Sequence, residues 1–397
     1  MRSPEEAFRW TSEPRLQRIT AALQAGGEAR FVGGCVRDSL LGQDPLTSDA
    51  IDIDIACDRT PVEMKALFDK AGIRWIATGE DHGTLTAVEG GMVAECTTLR
   101  ADEETDGRHA EVRFTRDWDE DWRRRDFTIN ALYLSPDGTL HDPAGGLPDL
   151  ERGRVRFIGD AGTRIEEDAL RILRFFRFSA RFAHAFDQEG LKAIAERAGL
   201  LSILSNERIW SELSRTFAAG RAPEAFRAAE AAGVLEKLLP GAANLPLFDA
   251  VHGQDGAMTP PLGAAALWPG RERVLLKEAF KPSTAFLDTY DGIGAARDAL
   301  QEGQGVRELL YRFGRDASEG GVRLTMADGK ATQAILDQVR SDEVPVLPYG
   351  GKDLLALGLK PGAELGRTLK MFEAAWIEAG LPTEEAACES LLRQVTA

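Results

Sequence analysis

Apolar and polar positions change rhythm along the chain. In the first third they form short runs bounded by glycine and polar residues, the mark of strands. Phe31 to Gly34 ends on paired glycines, Ile51 to Ile55 alternates isoleucine with aspartate, and Thr84 to Val88 and Met92 to Thr98 follow. Pro61 to Ala71 interrupts this series with a helical pattern. From about Thr163 onward Leu, Ile, Phe and Ala recur at helical spacing, and no strand series returns. The pattern predicts a mixed α/β N-terminal part followed by separate all-helical parts. Loops are expected at Leu239 to Pro261, rich in Pro, Gly and Asn, and at Ser341 to Gly351.

Length and composition narrow the class. A chain of 397 residues, 43% of them hydrophobic, can bury a substantial core and suggests two or three structural units. The first thirty residues are studded with charge, from Arg2 to Arg15, and no segment offers an apolar stretch of spanning length, so a soluble, cytoplasmic protein is expected. The four cysteines, Cys35, Cys57, Cys96 and Cys388, show no C-x-x-C spacing, which points to small buried residues in a reducing compartment rather than a zinc site or disulfide framework. A net charge of −16 opposes nonspecific coating of nucleic acid, so any RNA contact must be local. The arginines between Arg152 and Arg181 offer such a patch.

Five segments carry candidate chemistry. In Phe31-Val32-Gly33-Gly34-Cys35-Val36-Arg37-Asp38 a strand ends in two glycines and a helix is expected from Val36 to Leu41. Paired glycines allow backbone N–H groups to approach a phosphate, and a helix N-terminus and Arg37 add positive potential. A Gly-Gly pair alone also suits an ordinary strand-to-helix turn. In Ile51-Asp52-Ile53-Asp54-Ile55 the aspartates, two apart on a strand, project from one face while the isoleucines enter the core. Two adjacent carboxylates call for a cation, and oxygen donors suit Mg²⁺; a solvated strand face is the plain alternative. Glu95, flanked by apolar residues on a following strand, is the candidate third carboxylate.

In Arg123-Arg124-Arg125-Asp126-Phe127-Thr128-Ile129-Asn130, Asp126 and Asn130 stand at i and i+4, where they can share a helical face and bond sugar hydroxyls while the arginines reach phosphates. A capped surface helix with a basic flank reads equally from this segment alone. Finally, Glu167, Asp168, Arg171 and Arg174 fall on one side of an expected helix, opposite Ala169, Leu170, Leu173 and Phe176. Surface ion pairs are the ordinary reading. The same arrangement permits base selection: cytosine and adenine each present an amino group to an acceptor such as Asp168 and a ring nitrogen to a donor such as Arg171, whereas uracil and guanine present a carbonyl there.

In this order the motifs resemble the class II nucleotidyltransferases of the polymerase β superfamily, a group containing CCA-adding enzymes and bacterial poly(A) polymerases. The resemblance rests on Gly33-Gly34-Cys35-Val36-Arg37-Asp38, Asp52-Ile53-Asp54, Arg124-Arg125-Asp126-Phe127-Thr128-Ile129-Asn130, Asp142-Pro143-Ala144-Gly145-Gly146 with Asp149, and Glu167-Asp168 with Arg171. It covers roughly residues 25 to 215. It implies an α+β fold, a small mixed β-sheet nucleotidyltransferase head over 1–150, a helical neck over 151–215 and a helical body and tail over 216–397. It further implies that Asp52 and Asp54 bind the catalytic Mg²⁺ with Glu95 as third carboxylate, and that Gly33, Gly34 and Arg37 hold the triphosphate. Arg125, Asp126 and Asn130 would engage the nucleotide's sugar and phosphates, and Glu167, Asp168 and Arg171, with Arg174 beside them, the base.

Local features favour CCA addition on tRNA, from CTP and ATP, over polyadenylation. Arg100, Asp102, Gly107 and Arg108 resemble the flexible loop with which CCA-adding enzymes switch from C to A, and no long basic C-terminal extension follows. Gly351-Lys352-Asp353-Leu354 to Gly366 resembles the tRNA-contacting C-terminal segment. A poly(A) polymerase and a catalytically silent RNA- or nucleotide-binding protein are the competing readings. The five histidines are isolated, so no histidine-aspartate phosphohydrolase domain is expected.

Overall fold

The computed structural model describes residues 2–48, 51–102 and 112–396. The chain divides into two compact units, Met1–Leu204 with Ala231–Val234, and Ser205–Glu230 with Leu235–Ala397.

The first unit is built on a mixed sheet. Its strands are β1 (Ala29–Val32), β2 (Asp54–Cys57), β3 (Arg74–Gly79), β4 (Thr84–Glu89), β5 (Met92–Thr98), β8 (Tyr133–Leu134) and β9 (Leu140–His141), ordered β3-β4-β5-β2-β1-β8-β9. Only the β2–β5 pair is parallel. A separate ladder pairs β6 (Arg100–Asp102) with β7 (Val112–Phe114). Phe31, Ile55, Leu85, Ala87, Ala94 and Cys96 line one face and are buried. The helices Pro14–Gln24, through Leu16, Ile19 and Leu23, and Pro61–Ala71, through Met64 and Phe68, cover that face. Burying each large apolar side chain contributes about 1.5–3 kcal/mol, which is why the alternation along the strands fixes which face turns inward. The Pro61–Ala71 helix has the bounds its pattern predicts: Thr60 and Glu63 form a capping box at its start, and Gly72, at φ 66°, ends it.

The alternating Ile51 to Ile55 segment enters the ladder later than expected, at Asp54. Its side chains keep their alternation all the same, since Ile51, Ile53 and Ile55 are buried while Asp52 is exposed. The Glu95 N–H donates to the Ile53 carbonyl at 2.8 Å, so the approach to β2 is already tied to β5.

Toward its C-terminal end this unit continues in the helices Ala161–Glu167, Leu170–Phe182 and Gln188–Arg197. The single helix expected through Glu167 and Arg174 is therefore two. Asp168 adopts φ −149°, ψ 103°, an extended conformation that ends the first helix. The second helix packs onto the sheet region through aromatics: Phe157 stacks on Phe175 with centroids 5.6 Å apart, and Phe127 meets Phe157 at 4.9 Å and Phe178 at 5.6 Å.

The second unit is all helical. Thr284–Gln301 and Val306–Ala327 form its tightest pair. A Cβ on Gly321 would stand 2.7 Å from the Arg297 backbone nitrogen, so glycine permits that close approach. The segment Leu239 to Pro261 is not a plain loop, because Leu245–His252 is a helix capped by Asn244, whose Oδ1 accepts the Leu247 N–H at 3.1 Å. Asn244 and Pro246 thus start a helix rather than break one. Between the helices that end at Ser341 and begin at Gly351, residues 342–350 run without regular structure, as expected. Among the described residues no helix is long and apolar enough to cross a membrane, and all four cysteines are buried and free.

Candidate active site in the N-terminal unit

Sheet register brings the carboxylates together. Asp54 on β2 stands directly opposite Glu95 on β5, and residues opposite in register share a face. The Asp54 carboxyl is pushed up to about 7, chiefly by burial and then by the neighbouring Glu95 charge, with Asp52 adding to it and Arg125 and Arg37 opposing. Burial and like charge together disfavour the ionised form here, and Arg125 and Arg37 offset them only in part. Among the described residues no three His, Cys, Asp or Glu side chains enclose a metal cage by themselves. The carboxylates form an open rim instead, whose all-oxygen donors fit a hard divalent ion that keeps water or substrate oxygens.

Beside this rim β1 ends at Val32, and Gly33, at φ 71° and ψ −119°, turns the chain into the Gly34–Leu40 helix. An L side chain rarely adopts that conformation, so the first glycine is required by the turn itself. Arg37 sits inside this helix and is only 4% exposed. Its Nε donates to Asp38 Oδ1 at 2.8 Å, its Nη1 donates to Asn130 Oδ1, and its guanidinium lies 4.3 Å from the Phe182 ring centroid. Arg181 in turn donates to Asp38 Oδ2 at 3.0 Å.

The Arg124 to Asn130 segment is a buried turn, not a surface helix: Thr128–Asn130 form a single 3₁₀ turn, and Asp126 and Asn130 are both buried. Asn130 Nδ2 donates to Asp126 Oδ1 at 3.0 Å, and Arg174 Nε donates to Asp126 Oδ2 at 2.7 Å. Burial would raise the Asp126 carboxyl, but Arg174 and the Asn130 bond outweigh it and hold it below the usual range. Arg174, Asp126, Asn130, Arg37, Asp38 and Arg181 thus form one hydrogen-bonded chain. It locks the glycine turn, the Thr128–Asn130 turn and the Leu170–Phe182 helix together.

Sequence reading missed the residue that holds Arg124 and Arg125. Asp121, 1% exposed, accepts from Arg124 Nη2 at 2.6 Å, from Arg125 Nη2 at 2.9 Å and from the Tyr133 hydroxyl at 2.7 Å. Its signal was present, since Asp121 precedes the two arginines by three and four residues on the Trp118–Arg123 helix and its end. Arg124 Nε also donates to the Arg100 carbonyl at 3.1 Å, fastening the start of the β6–β7 ladder. Of the expected flexible-loop residues, Arg100 and Asp102 lie on β6, while Gly107 and Arg108 lie outside the described residues.

Glu167, Asp168 and Arg171 meet around the break between two helices rather than along one. Arg171 Nη1 donates to Glu167 Oε2 at 2.5 Å and to the Arg164 carbonyl at 2.8 Å, and its Nη2 donates to the Arg124 carbonyl at 2.7 Å. Asp168 Oδ1 accepts the Leu170 N–H at 3.1 Å. The expected basic patch is likewise a lattice of ion pairs: Arg154, Arg156, Arg164, Arg171, Arg174 and Arg181 each pair with a carboxylate.

Strand carboxylates beside a glycine turn, with buried arginines opposite, define a nucleotidyltransferase head. Residues 29–156 match the family described as Poly A polymerase head domain, and residues 185–245 the one described as Probable RNA and SrmB- binding site of polymerase A. The chain is 36% identical over 374 residues to the mitochondrial CCA tRNA nucleotidyltransferase 1 of Mus musculus, covering 90% of this chain and 85% of that protein. It is 33% identical over 397 residues to a CCA-adding enzyme of Lactobacillus delbrueckii subsp. bulgaricus, covering 96% of each. The crystal structure of the Bacillus stearothermophilus CCA-adding enzyme in complex with CTP is similar with a TM-score of 0.75 and 27% identity, over 99% of this chain and 98% of that one. The chain belongs to the CCA-adding tRNA nucleotidyltransferase family, an enzyme family of the polymerase β type that uses divalent metal ions.

Proposed function

We propose that this protein adds C, C and A, from CTP and ATP, to the 3′ end of tRNA without a nucleic-acid template, using Mg²⁺ and releasing pyrophosphate. The observation that carries the reading is Asp54 facing Glu95 in register, its carboxyl raised by burial and by like charge. In the transfer, the RNA 3′-hydroxyl oxygen bonds to the α-phosphorus, the bond to the β-phosphate oxygen breaks, and pyrophosphate leaves with that electron pair; the hydroxyl proton passes to solvent. Asp52 and Asp54 would hold the ion, which neutralises triphosphate charge and eases loss of the hydroxyl proton. Arg37 and the Gly33-Gly34 backbone orient the triphosphate, and Arg125, with Asp126 and Asn130 behind it, fixes the nucleotide. Glu167, Asp168 and Arg171 select the base, assisted by the loop that contains Arg100, Asp102, Gly107 and Arg108.

In this reading residues 1–150 form the catalytic head, 151–215 the neck, and 216–397 a body and tail that bind tRNA. The buried free cysteines suit a cytoplasmic setting. Incubation with tRNA truncated before CCA and all four NTPs tests the function. Ordered addition of C, C and A is expected; addition of C alone, A alone or a long A tract overturns it.

A further inference from the structure

We propose that a recess between the N-terminal arm and the residues after the Gly34–Leu40 helix binds a compact phosphate anion, of the size of inorganic phosphate or pyrophosphate. The recess measures about 310 Å³, at the small end of ligand sites, and Arg2, Glu6, Arg9, Trp10, Gln43 and Asp44 line it. None of these residues belongs to the carboxylate rim or to the groups assigned to the incoming nucleotide.

Local structure brings the two chain segments together. The Arg2 N–H donates to the Leu40 carbonyl at 3.0 Å, which ties the arm to the end of that helix. Gly42, at φ 97°, makes the turn that follows, and a Cβ there would stand 3.4 Å from Arg2 Nε, so the Arg2 side chain lies across the turn. Arg9 and Trp10 stand on the 3₁₀ turn Arg9–Ser12, and the Trp10 ring packs edge-to-face against Phe31 of β1 with centroids 4.7 Å apart.

Free hydrogen-bonding capacity selects the ligand. The two carboxylates are engaged locally: Glu6 Oε2 accepts from the Ser3 hydroxyl at 3.2 Å, and Asp44 Oδ1 from the Leu46 N–H at 2.9 Å. The donors are not. Among the described residues neither Arg2 nor Arg9 pairs with a carboxylate. Trp10 is only 4% exposed, yet its indole N–H has no acceptor, and buried donors left so are rare. Gln43 adds a further donor. Because Arg181 Nη2 can only donate, the amide atom it meets at 3.3 Å is Oε1, which leaves Nε2 to donate elsewhere. Two guanidinium groups, an indole N–H and an amide therefore line one recess, and they suit a ligand with several acceptor oxygens and about two negative charges. A phosphate group provides both, whereas a carboxylate brings two oxygens and one charge. Glu6 and Asp44 beside the donors repel an extended polyanion, which selects a compact anion over an RNA backbone. Through Gln43 the anion stands one hydrogen bond behind Arg181, which donates to Asp38, the partner of Arg37.

NMR of the full-length protein, isotope-labelled at its tryptophan indole nitrogens, tests this in chelator, which keeps metal from the carboxylates. The Trp10 indole signal is identified by its loss in Trp10→Phe. Sodium phosphate, titrated at constant pH and ionic strength, should move that signal downfield to saturation and leave the other indole signals in place. A Trp10 signal that stays still, or that moves equally with sodium chloride, overturns the proposal. Arg2→Gln combined with Arg9→Gln alters only exposed side chains and should weaken phosphate binding by about tenfold or more. Wild-type affinity in that double variant overturns it too. A second arm adds tRNA lacking CCA. A phosphate-induced shift that persists with tRNA bound supports the compact anion, and a Trp10 shift produced by tRNA but by neither phosphate nor pyrophosphate overturns it in favour of an RNA phosphate.

Discussion

Arg37 donates through Nη1 to the side-chain oxygen of Asn130, and this bond joins the helix after the glycine turn to the Arg124–Asn130 motif. Asn130 passes the connection on, because its Nδ2 donates to Asp126 while Asp126 accepts from Arg174. An amide serves here because it accepts from a cation with one atom and donates to an anion with the other. Asn130→Ala leaves a buried guanidinium and a buried carboxylate each short of a partner. The expected result is a loss of about 3 kcal/mol in urea unfolding and a raised KM for both CTP and ATP. Wild-type stability with wild-type KM values would show that the chain of bonds is dispensable.

Asp121 predicts a pH dependence. Burial would raise its carboxyl, but Arg125, Arg124 and the Tyr133 hydroxyl together hold it well below the usual range. A carboxyl depressed on folding contributes stability that is present above the unfolded-chain value of about 4 and lost as pH falls below it toward the folded value. The gap between wild type and Asp121→Asn should therefore be about 3 kcal/mol at neutral pH, since both arginines lose their shared anion. It should narrow steadily below about pH 4. Urea midpoints measured across that range check it, and a gap that stays constant would rule out the ion pairs as its source.

Much of this architecture was legible beforehand, for identifiable reasons. The Pro61–Ala71 helix has strong end signals in Thr60, Glu63 and Gly72, and β5 has its predicted bounds because its alternation is driven by burial on one face. The pairing of Asp54 with Glu95 follows once two such strands are neighbours, although sequence alone does not say which strands pair. Periodicity misled where side-chain chemistry overrode it. Glu167 to Arg174 keeps a helical spacing across the break at Asp168, and Asp126 and Asn130 show helical spacing while lying in a buried turn. Asp121 escaped notice because an acid three and four residues before arginines on a helix reads as a surface pair until burial shows otherwise. Several arginines between Arg152 and Arg181 read as an open patch because their partners are distant in sequence, as with Arg181 and Asp38 or Arg174 and Asp126, whereas Arg164 and Arg171 pair locally with Glu167.

The carboxylate rim predicts opposite signs for activity and stability. If Asp52 and Asp54 hold the metal as proposed, Asp54→Asn removes a ligand charge and transfer should fall by more than about a hundredfold, and Asp52→Asn should do the same. Yet Asp54 is penalised in the folded protein by burial and by Glu95, so without metal Asp54→Asn should melt at or above the wild-type temperature near neutral pH. Adding Mg²⁺ should raise the Tm of wild type more than that of the variant. An Asp54→Asn protein that is active, or one that melts well below wild type in chelator, would reject the rim as a metal site.

Base selection is the sharpest test, because a loss of rate can arise anywhere in the head whereas a changed preference points to the residues that face the base. Asp168 lies at the break between two helices, and Arg171, 8% exposed, reaches across to the Arg124 carbonyl, so the two are held on a fixed frame rather than on a mobile surface. In the proposed reading Asp168→Ala removes the acceptor for an exocyclic amino group. The preference for CTP and ATP over UTP and GTP should then shrink by about tenfold or more, even as the overall rate drops. Arg171→Ala removes the donor to the ring edge and one anchor of Glu167, so CTP and ATP should suffer together. Exposed ion pairs contribute only about 0–1 kcal/mol and do not touch nucleotide choice. Single-nucleotide kcat/KM for all four NTPs, on tRNA ending at the C-addition and A-addition steps, separates these outcomes. Unchanged ratios in both variants, with folding and tRNA binding intact, would return Glu167, Asp168 and Arg171 to a purely structural role at the helix break.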